Sequence, residues 1–207
     1  MGGKYIITLS REFGSLGRPI ARKLSELLDI EYYDRDIVDQ TAKNLGLPES
    51  VVSNVEESAK SHLFQMSYPL GTGTTEQQDA IYNEQAKIIK HLADKQPCIV
   101  VGRCSDFLLG NEKNCLRVYV YAPFHDRYRN CVDVLQMEPE TAKKMIMKVD
   151  KARNAYHHHY TGYLPNDMNH QDILINSSML GVNGTAECLA HIVESRFCLE
   201  NNTPAES

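Results

Sequence analysis

The 207-residue chain has no apolar run approaching the ~18 residues needed to span a bilayer, so a helical membrane protein is not expected. Its first apolar run stops at Arg11-Glu12, too short and too soon charged for a secretory signal. Ile6 stands where an N-myristoylation pattern needs Ser or Thr. Positive charge is not in excess: 22 Lys and Arg face 27 Asp and Glu, a formal net charge of -5. Nucleic acid is therefore not an expected partner, although a local basic pocket remains open. None of the six cysteines (Cys98, Cys104, Cys115, Cys131, Cys188 and Cys198) forms a CxxC pair. The expected setting is reduced and cytoplasmic, with the thiols acting as small apolar residues. Hydrophobic residues at 42% and charged residues at 24% exclude a wholly disordered or collagen-like chain. No repeat or linker divides the sequence, which predicts one domain over residues 1–200 and a frayed polar tail over 201–207.

Short strands alternate with helices along that domain. Residues 4–9 (KYIITL) are β-branched and aromatic, a buried strand. A loop with two glycines follows over residues 10–18, then Pro19 suits a helix start. Ile20, Leu24, Leu27 and Leu28 define one face of that helix. Residues 31–34 predict a second strand, and 35–45 a helix ended by Gly46. Residues 50–66 are helix-compatible, 67–75 a mobile loop tip, and 76–95 a long helix. Residues 98–101 predict a strand, with Gly102-Arg103 turning into a short helix. A strand over 116–122 leads through Pro123 to a helix reaching about Gln136. A long helix from Pro139 to about Tyr160, a strand over 173–175 and a helix over 184–198 complete the pattern. This alternation predicts an α/β fold, a parallel sheet covered on both faces, with ligands at the carboxyl ends of its strands.

That rule selects the loop over residues 10–18, Asp34, residues 102–106, Ala122-Pro123 and residues 176–178. A glycine-containing turn before a helix offers backbone N–H groups and the helix dipole to an anion. An ordinary tight βα turn reads the same way. The Walker pattern G-x-x-x-x-G-K-[ST] is missing. Either alignment of the loop lacks the lysine and the magnesium-binding hydroxyl; Gly17-Arg18-Pro19 stands where Gly-Lys-Ser/Thr would be.

The stretch Ser10-Arg11-Glu12-Phe13-Gly14-Ser15-Leu16-Gly17-Arg18 nevertheless resembles the opening ISREFGSGGR of the cytidylate-kinase-like family of P-loop proteins. Tyr32-Tyr33-Asp34 follows, then Val100-Val101-Gly102-Arg103-Cys104-Ser105-Asp106, close to that family's VGRCAD segment. Tyr121-Ala122-Pro123, the stretch from Asp150 through Arg153 to Gly162, and Asp172-Ile173-Leu174-Ile175-Asn176-Ser177-Ser178 continue the series in order. Leu16 departs from the family, which usually has glycine there and so avoids a side chain crowding the loop.

The resemblance implies a three-layer P-loop NTPase-type sheet flanked by helices, with a helical acceptor-binding region over about 36–95 and a lid over about 138–166. It implies ATP-dependent phosphoryl transfer to CMP or dCMP, with Mg²⁺ arriving with ATP and no protein-built metal site. Phe13, Gly14, Ser15, Leu16, Gly17 and Arg18 would hold the ATP phosphates through backbone N–H groups. Phosphoryl transfer is catalysed mainly by positioning and charge stabilisation, and Arg11, Arg18 and Arg153 are the candidates for it. Asp34, Arg103 and Asp106 would bind the acceptor. Arg127, Arg129 and Asp150 would serve the phosphates or lid, and Asn176, Ser177 and Ser178 the nucleotide base. His157-His158-His159 cannot jointly chelate one ion, because consecutive helical residues point about 100° apart; lid packing is expected instead. Two other functions stay open: a nucleotide-binding regulatory protein with impaired catalysis, and a kinase of another small metabolite.

Overall fold

The computed structural model describes residues 4–47, 49 and 75–197. The expected elements over 50–66 and 67–75 and the tail over 201–207 lie outside the described residues, except Thr75, which begins a helix. Five strands are present: β1 (Ile6–Arg11), β2 (Glu31–Tyr33), β3 (Cys98–Val101), β4 (Cys115–Tyr121) and β5 (Ile173–Asn176). The helices are α1 (Gly17–Leu28), α2 (Arg35–Leu45), α3 (Thr75–Lys95), α4 (Ser105–Leu108), α5 (Phe124–Arg129), α6 (Pro139–Thr161) and α7 (Gly181–Phe197). A π-helical turn, Asn130–Val134, continues α5 where sequence pattern suggested plain helix to about Gln136.

The sheet is wholly parallel, in the order β2-β3-β1-β4-β5. β1 is central, with Ile6 level with Cys98 on one side and Cys115 on the other. Its residues alternate between two cores, as a period of two requires. Ile7 and Leu9 join Ile99, Val101, Ile20, Leu24, Leu189 and Val193 under α1 and α7. Ile6 joins Cys98, Val100, Ile37, Ile88 and Ile89 under α2 and α3. The buried stripe of α1 is Gly17, Ile20, Ala21 and Leu24. This i, i+3, i+4, i+7 set leaves Leu27, expected in the core, 43% exposed in the last turn.

Helix ends follow local chemistry. Gly46 closes α2 in the left-handed conformation (φ 64°). α6 opens at Pro139, with the Glu138 carboxylate accepting the Thr141 N–H at 2.8 Å. No helix among the described residues is long and apolar enough to cross a membrane.

A third core fixes the first loop. The Phe13 ring is buried with Cys131, Met137, Ala142, Met145, Ile146 and Val149, so it joins the loop to the inner face of α6. Phe13→Ala should lower stability by about 3–5 kcal/mol, read by thermal or denaturant unfolding. A change within about 0.5 kcal/mol would show that the ring carries no packing.

Candidate active site

β1 ends at Arg11, and the chain turns through residues 12–16 into α1. The turn is held by its carbonyls. Arg127 Nη1 donates to Phe13 C=O at 3.2 Å, Asn130 to Gly14 C=O at 2.9 Å, and Ser177 Oγ to Ser15 C=O at 2.7 Å. The N–H groups of Gly14, Leu16 and Gly17 have no acceptor among the described residues. They are the donors a helix start leaves over. Gly14 (φ 79°) could carry no side chain, since a Cβ would lie 2.8 Å from the Arg127 carbonyl. At Gly17 a Cβ would lie 2.7 Å from Arg11 Cβ. Leu16, the helix N-cap, is left-handed (φ 59°, ψ 25°), a conformation costing a β-carbon-bearing residue about 1–2 kcal/mol. Glycine would adopt it without that cost.

Several expected phosphate contacts are braces instead. Phe13 donates its N–H to Asp150 at 2.8 Å, so that donor is not offered to an anion. Ser15 is fully buried, its hydroxyl donating to Glu12 C=O at 2.9 Å. Arg127 is buried and pairs with Asp150 and, at 3.3 Å, with Glu12. These pairs draw Arg127 and Asp150 into clamping the loop. Arg129 is exposed and bonds Asp126 at 3.0 Å, one helical turn away. Ser177 braces the loop, while Asn176 Oδ1 accepts the Ser178 N–H and hydroxyl at 3.0 and 2.7 Å, closing a local turn.

The remaining arginines converge on one carboxylate. Asp34, at the start of α2, is 3% exposed and ion-paired with Arg18. The Tyr32 hydroxyl donates to it at 3.2 Å. Burial alone would push the Asp34 carboxyl up; the guanidiniums of Arg11, Arg18 and Arg103 outweigh it and hold it below the usual aspartate value. Asp34 is thus the counter-ion of the cluster. Arg103 follows β3 within three successive left-handed residues, Gly102 (φ 72°), Arg103 (φ 61°) and Cys104 (φ 54°). Strain of this kind in non-glycine residues persists where surroundings over-determine it. A Cβ on Gly102 would strike the Arg11 guanidinium, which lies over that turn.

Two clefts meet at this cluster. One, of about 310 Å³, runs along the loop from Glu12 to Pro19. The other, of about 570 Å³, is walled by Ser10, Gly102, Arg103, Cys104, Tyr156, His157 and Pro165. Arg11, Arg18 and Arg153 line both. Arg153 reaches them from α6, its Nη1 donating to Arg11 C=O at 3.2 Å and its guanidinium 5.9 Å from the Phe13 ring centre.

Asp106 is 1% exposed and lies behind the larger cleft. It accepts from Tyr163 OH at 3.0 Å and Gln171 Nε2 at 3.2 Å, and its oxygens lie 2.9 and 3.1 Å from His157 Nε2. Its reach is to these three rather than to an acceptor directly. Of the three adjacent histidines, only His157 is buried. Burial pushes the Cys104 thiol well up, so it is a packed neutral group, not an activated one. Among the described residues no three His, Cys, Asp or Glu side chains could jointly hold a metal ion.

The model of the cytidylate kinase-like family matches residues 6–179, which contain every group just described. The chain belongs to that family. No curated protein matches it. Its fold is similar to that of an uncharacterised protein from Eubacterium ventriosum (TM-score 0.70, 23% identity, 93% of this chain and 99% of that one). It is also similar to shikimate kinase from Acinetobacter baumannii in complex with shikimate (0.54, 14%, 93% and 94%). A gluconokinase from Sinorhizobium meliloti gives 0.52 at 11% identity, over 97% and 100%. The five-stranded parallel sheet is that of P-loop kinases.

Within this family member, pattern reading reached the glycines and arginines, took Ser10 with the loop and Tyr156 and His157 with the lid, and missed Tyr163 and Gln171. One signal was present: His157 lies four residues after Arg153, on the same helical face.

Two outcomes test the site. Leu16→Gly should remove the left-handed strain, so Tm should hold or rise despite the lost side chain; a fall of several degrees would refute the strain. Asp34→Asn should destabilise the fold at neutral pH, by less than the about 3–5 kcal/mol of a fully buried pair, because the arginines face a cleft. A depressed carboxyl contributes its stability above its unfolded pKa and loses it as pH falls through the lower folded value. The stability gap between wild type and Asp34→Asn should therefore hold down to about pH 4 and close below it. A gap that widens in acid would reverse the assignment.

Proposed function

We propose that this family member is a phosphotransferase that moves the γ-phosphoryl group of ATP to CMP or dCMP in a reduced, cytoplasmic setting. The observation that carries the reading is the pair of clefts joined at Arg11, Arg18 and Arg153. Transfer between two anions needs positive charge at the place where they meet. The loop-side cleft would take the ATP phosphates on the N–H groups of Gly14, Leu16 and Gly17, aided by the α1 dipole. Arg18 and Arg11 stand in for the Walker lysine. The larger cleft would take the acceptor, with Arg103 gripping its phosphate as a planar fork. Asp34 then positions arginines instead of touching the acceptor. Mg²⁺ arriving with ATP would supply further positive charge at the loop-side cleft.

Two other acceptor outcomes have separate motives. The missing lysine and the strained Leu16 favour a nucleotide-binding protein without turnover. A hydroxyl acceptor would make this a small-metabolite kinase, as the names of the shikimate kinase and gluconokinase neighbours indicate for those proteins. ADP release measured across a panel of nucleoside monophosphates, shikimate and gluconate separates the three. Turnover with CMP or dCMP supports the proposal; ATP binding with no turnover, or turnover only on a non-nucleotide, overturns it.

Single variants test the roles. Arg103→Ala should weaken CMP by about 1.5–3 kcal/mol and ATP far less; equal losses would remove Arg103 from the acceptor side. Arg153→Ala should lower kcat with little change in ATP affinity, whereas Arg18→Ala and Arg11→Ala should weaken ATP as well. Wild-type turnover in all three variants would mean that other residues neutralise the phosphates.

A further inference from the structure

His157 forms part of the wall of the larger cleft, yet both of its ring nitrogens face away into the protein's own hydrogen bonds. Nδ1 lies 2.9 Å from the Tyr163 carbonyl oxygen, which can only accept. Nε2 lies 2.9 and 3.1 Å from the two oxygens of Asp106. That carboxyl group also receives the Tyr163 hydroxyl and the Gln171 amide, so it stands among donors as an acceptor. The Thr161 hydroxyl, 3.0 Å from Nδ1, has its own acceptors in the carbonyls of His157 at 2.8 Å and Tyr163 at 3.1 Å. With acceptors at both nitrogens, both must carry hydrogen, and a ring with two N–H groups is an imidazolium.

We propose that His157 is an imidazolium that acts as a positioning residue of the acceptor cleft, tying the end of α6 and residues 162–171 to Asp106 and adding one positive charge to the arginine wall. The acceptor's phosphate enters only through the function proposed above; the charged ring and its tie do not depend on it. His157 cannot be a general acid or base, because neither N–H is presented to the cleft.

Titratable and charged groups face His157 from every element packed against it. Asp106 and Cys104 lie at the start of α4, Tyr163 and His170 beyond α6, and Arg103 and Arg153 across the cleft. Burial pushes the Cys104 thiol and the Tyr163 hydroxyl up, so both stay neutral, and arginines stay charged. Burial alone would lower His157; its hydrogen bond to Asp106 and that residue's charge outweigh burial and raise it above the usual histidine value. A raised histidine keeps its contribution below its unfolded pKa and loses it as pH rises through the higher folded value. His170, stacked on Tyr163 with ring centres 3.7 Å apart, needs its own control.

The experiment is ¹⁵N–¹H imidazole spectroscopy on the full chain from about pH 6 to about pH 9. His157→Gln and His170→Gln identify the two rings. Both His157 nitrogens should be protonated at neutral pH and lose one proton only on the alkaline side. A bare nitrogen at neutral pH overturns the proposal. Amide exchange over residues 162–171 should quicken in His157→Gln and, in wild type, beyond the ordinary rise with pH as the ring deprotonates; unchanged protection overturns the tie. Calorimetry should show CMP weakened roughly tenfold in His157→Gln with ATP nearly unchanged, a loss of about 1.4 kcal/mol. Equal weakening of both overturns the cleft assignment. If wild-type protein binds no CMP, the proposed acceptor falls, and with it His157's share in holding it, while the spectra and exchange still decide the imidazolium and its tie.

Discussion

Concentrated positive charge is the constraint on which this structure turns. Arg11, Arg18, Arg103 and Arg153 line one cleft, and unbalanced they would repel one another and the fold around them. Carboxylates are set against much of this charge. Asp34 serves Arg11, Arg18 and Arg103; Glu12 and Asp150 take Arg127 out of the cleft and bind it to the loop; Asp106 answers His157. These carboxylates come from different parts of the chain, so the cleft exists only when the sheet and helices are assembled. The depressed Asp34 carboxyl is the electrostatic signature of that balance.

The same division of labour explains a phosphate-type loop without a lysine. A loop that presents N–H groups must first dispose of its carbonyls. Here Arg127, Asn130 and Ser177 take the carbonyls of three successive residues, Phe13, Gly14 and Ser15. The loop's shape is thus set by neighbouring elements rather than by an incoming anion. Gly14 permits the close approach of Arg127, and Gly17 that of Arg11, which is why glycine stands at those two places. Leu16 shows how strongly the surroundings dictate the backbone, since it takes a left-handed conformation that suits glycine.

Much of this was legible in the sequence, for physical reasons that also mark where legibility ends. Strand β3 and helix α2 have the limits that β-branched composition and a terminal glycine specify. Arginines just after strands could be placed at the cleft because a parallel sheet puts its strand ends together. Contacts between distant segments left no trace of that kind. Nothing in the local pattern says that Ser177 meets Ser15, or that Asp150 takes the N–H of Phe13. Arg127, on the helix after a strand, and Arg153, on the lid segment, both read in sequence as arginines that could reach the phosphates. Only the assembled fold turns the first into a clamp and leaves the second in the cleft.

Helix α6 makes the clamp and the cleft a single mechanical unit. Ile146 and Val149 bury Phe13, Asp150 holds the Phe13 N–H, and Arg153, Tyr156 and His157 enter the larger cleft. Tyr160 then stacks on Tyr82 of α3, with ring centres 3.9 Å apart and planes at 4°. These residues recur every three or four positions along one continuous helix, so one face carries them all. The Phe13 core and the tyrosine stack thus lie on either side of Arg153 along α6. Arg153 already bridges the two clefts in the structure because that packing holds it there. The segment over 138–166 resembles a lid in sequence, and along α6 it carries Arg153 from the loop to the cleft wall.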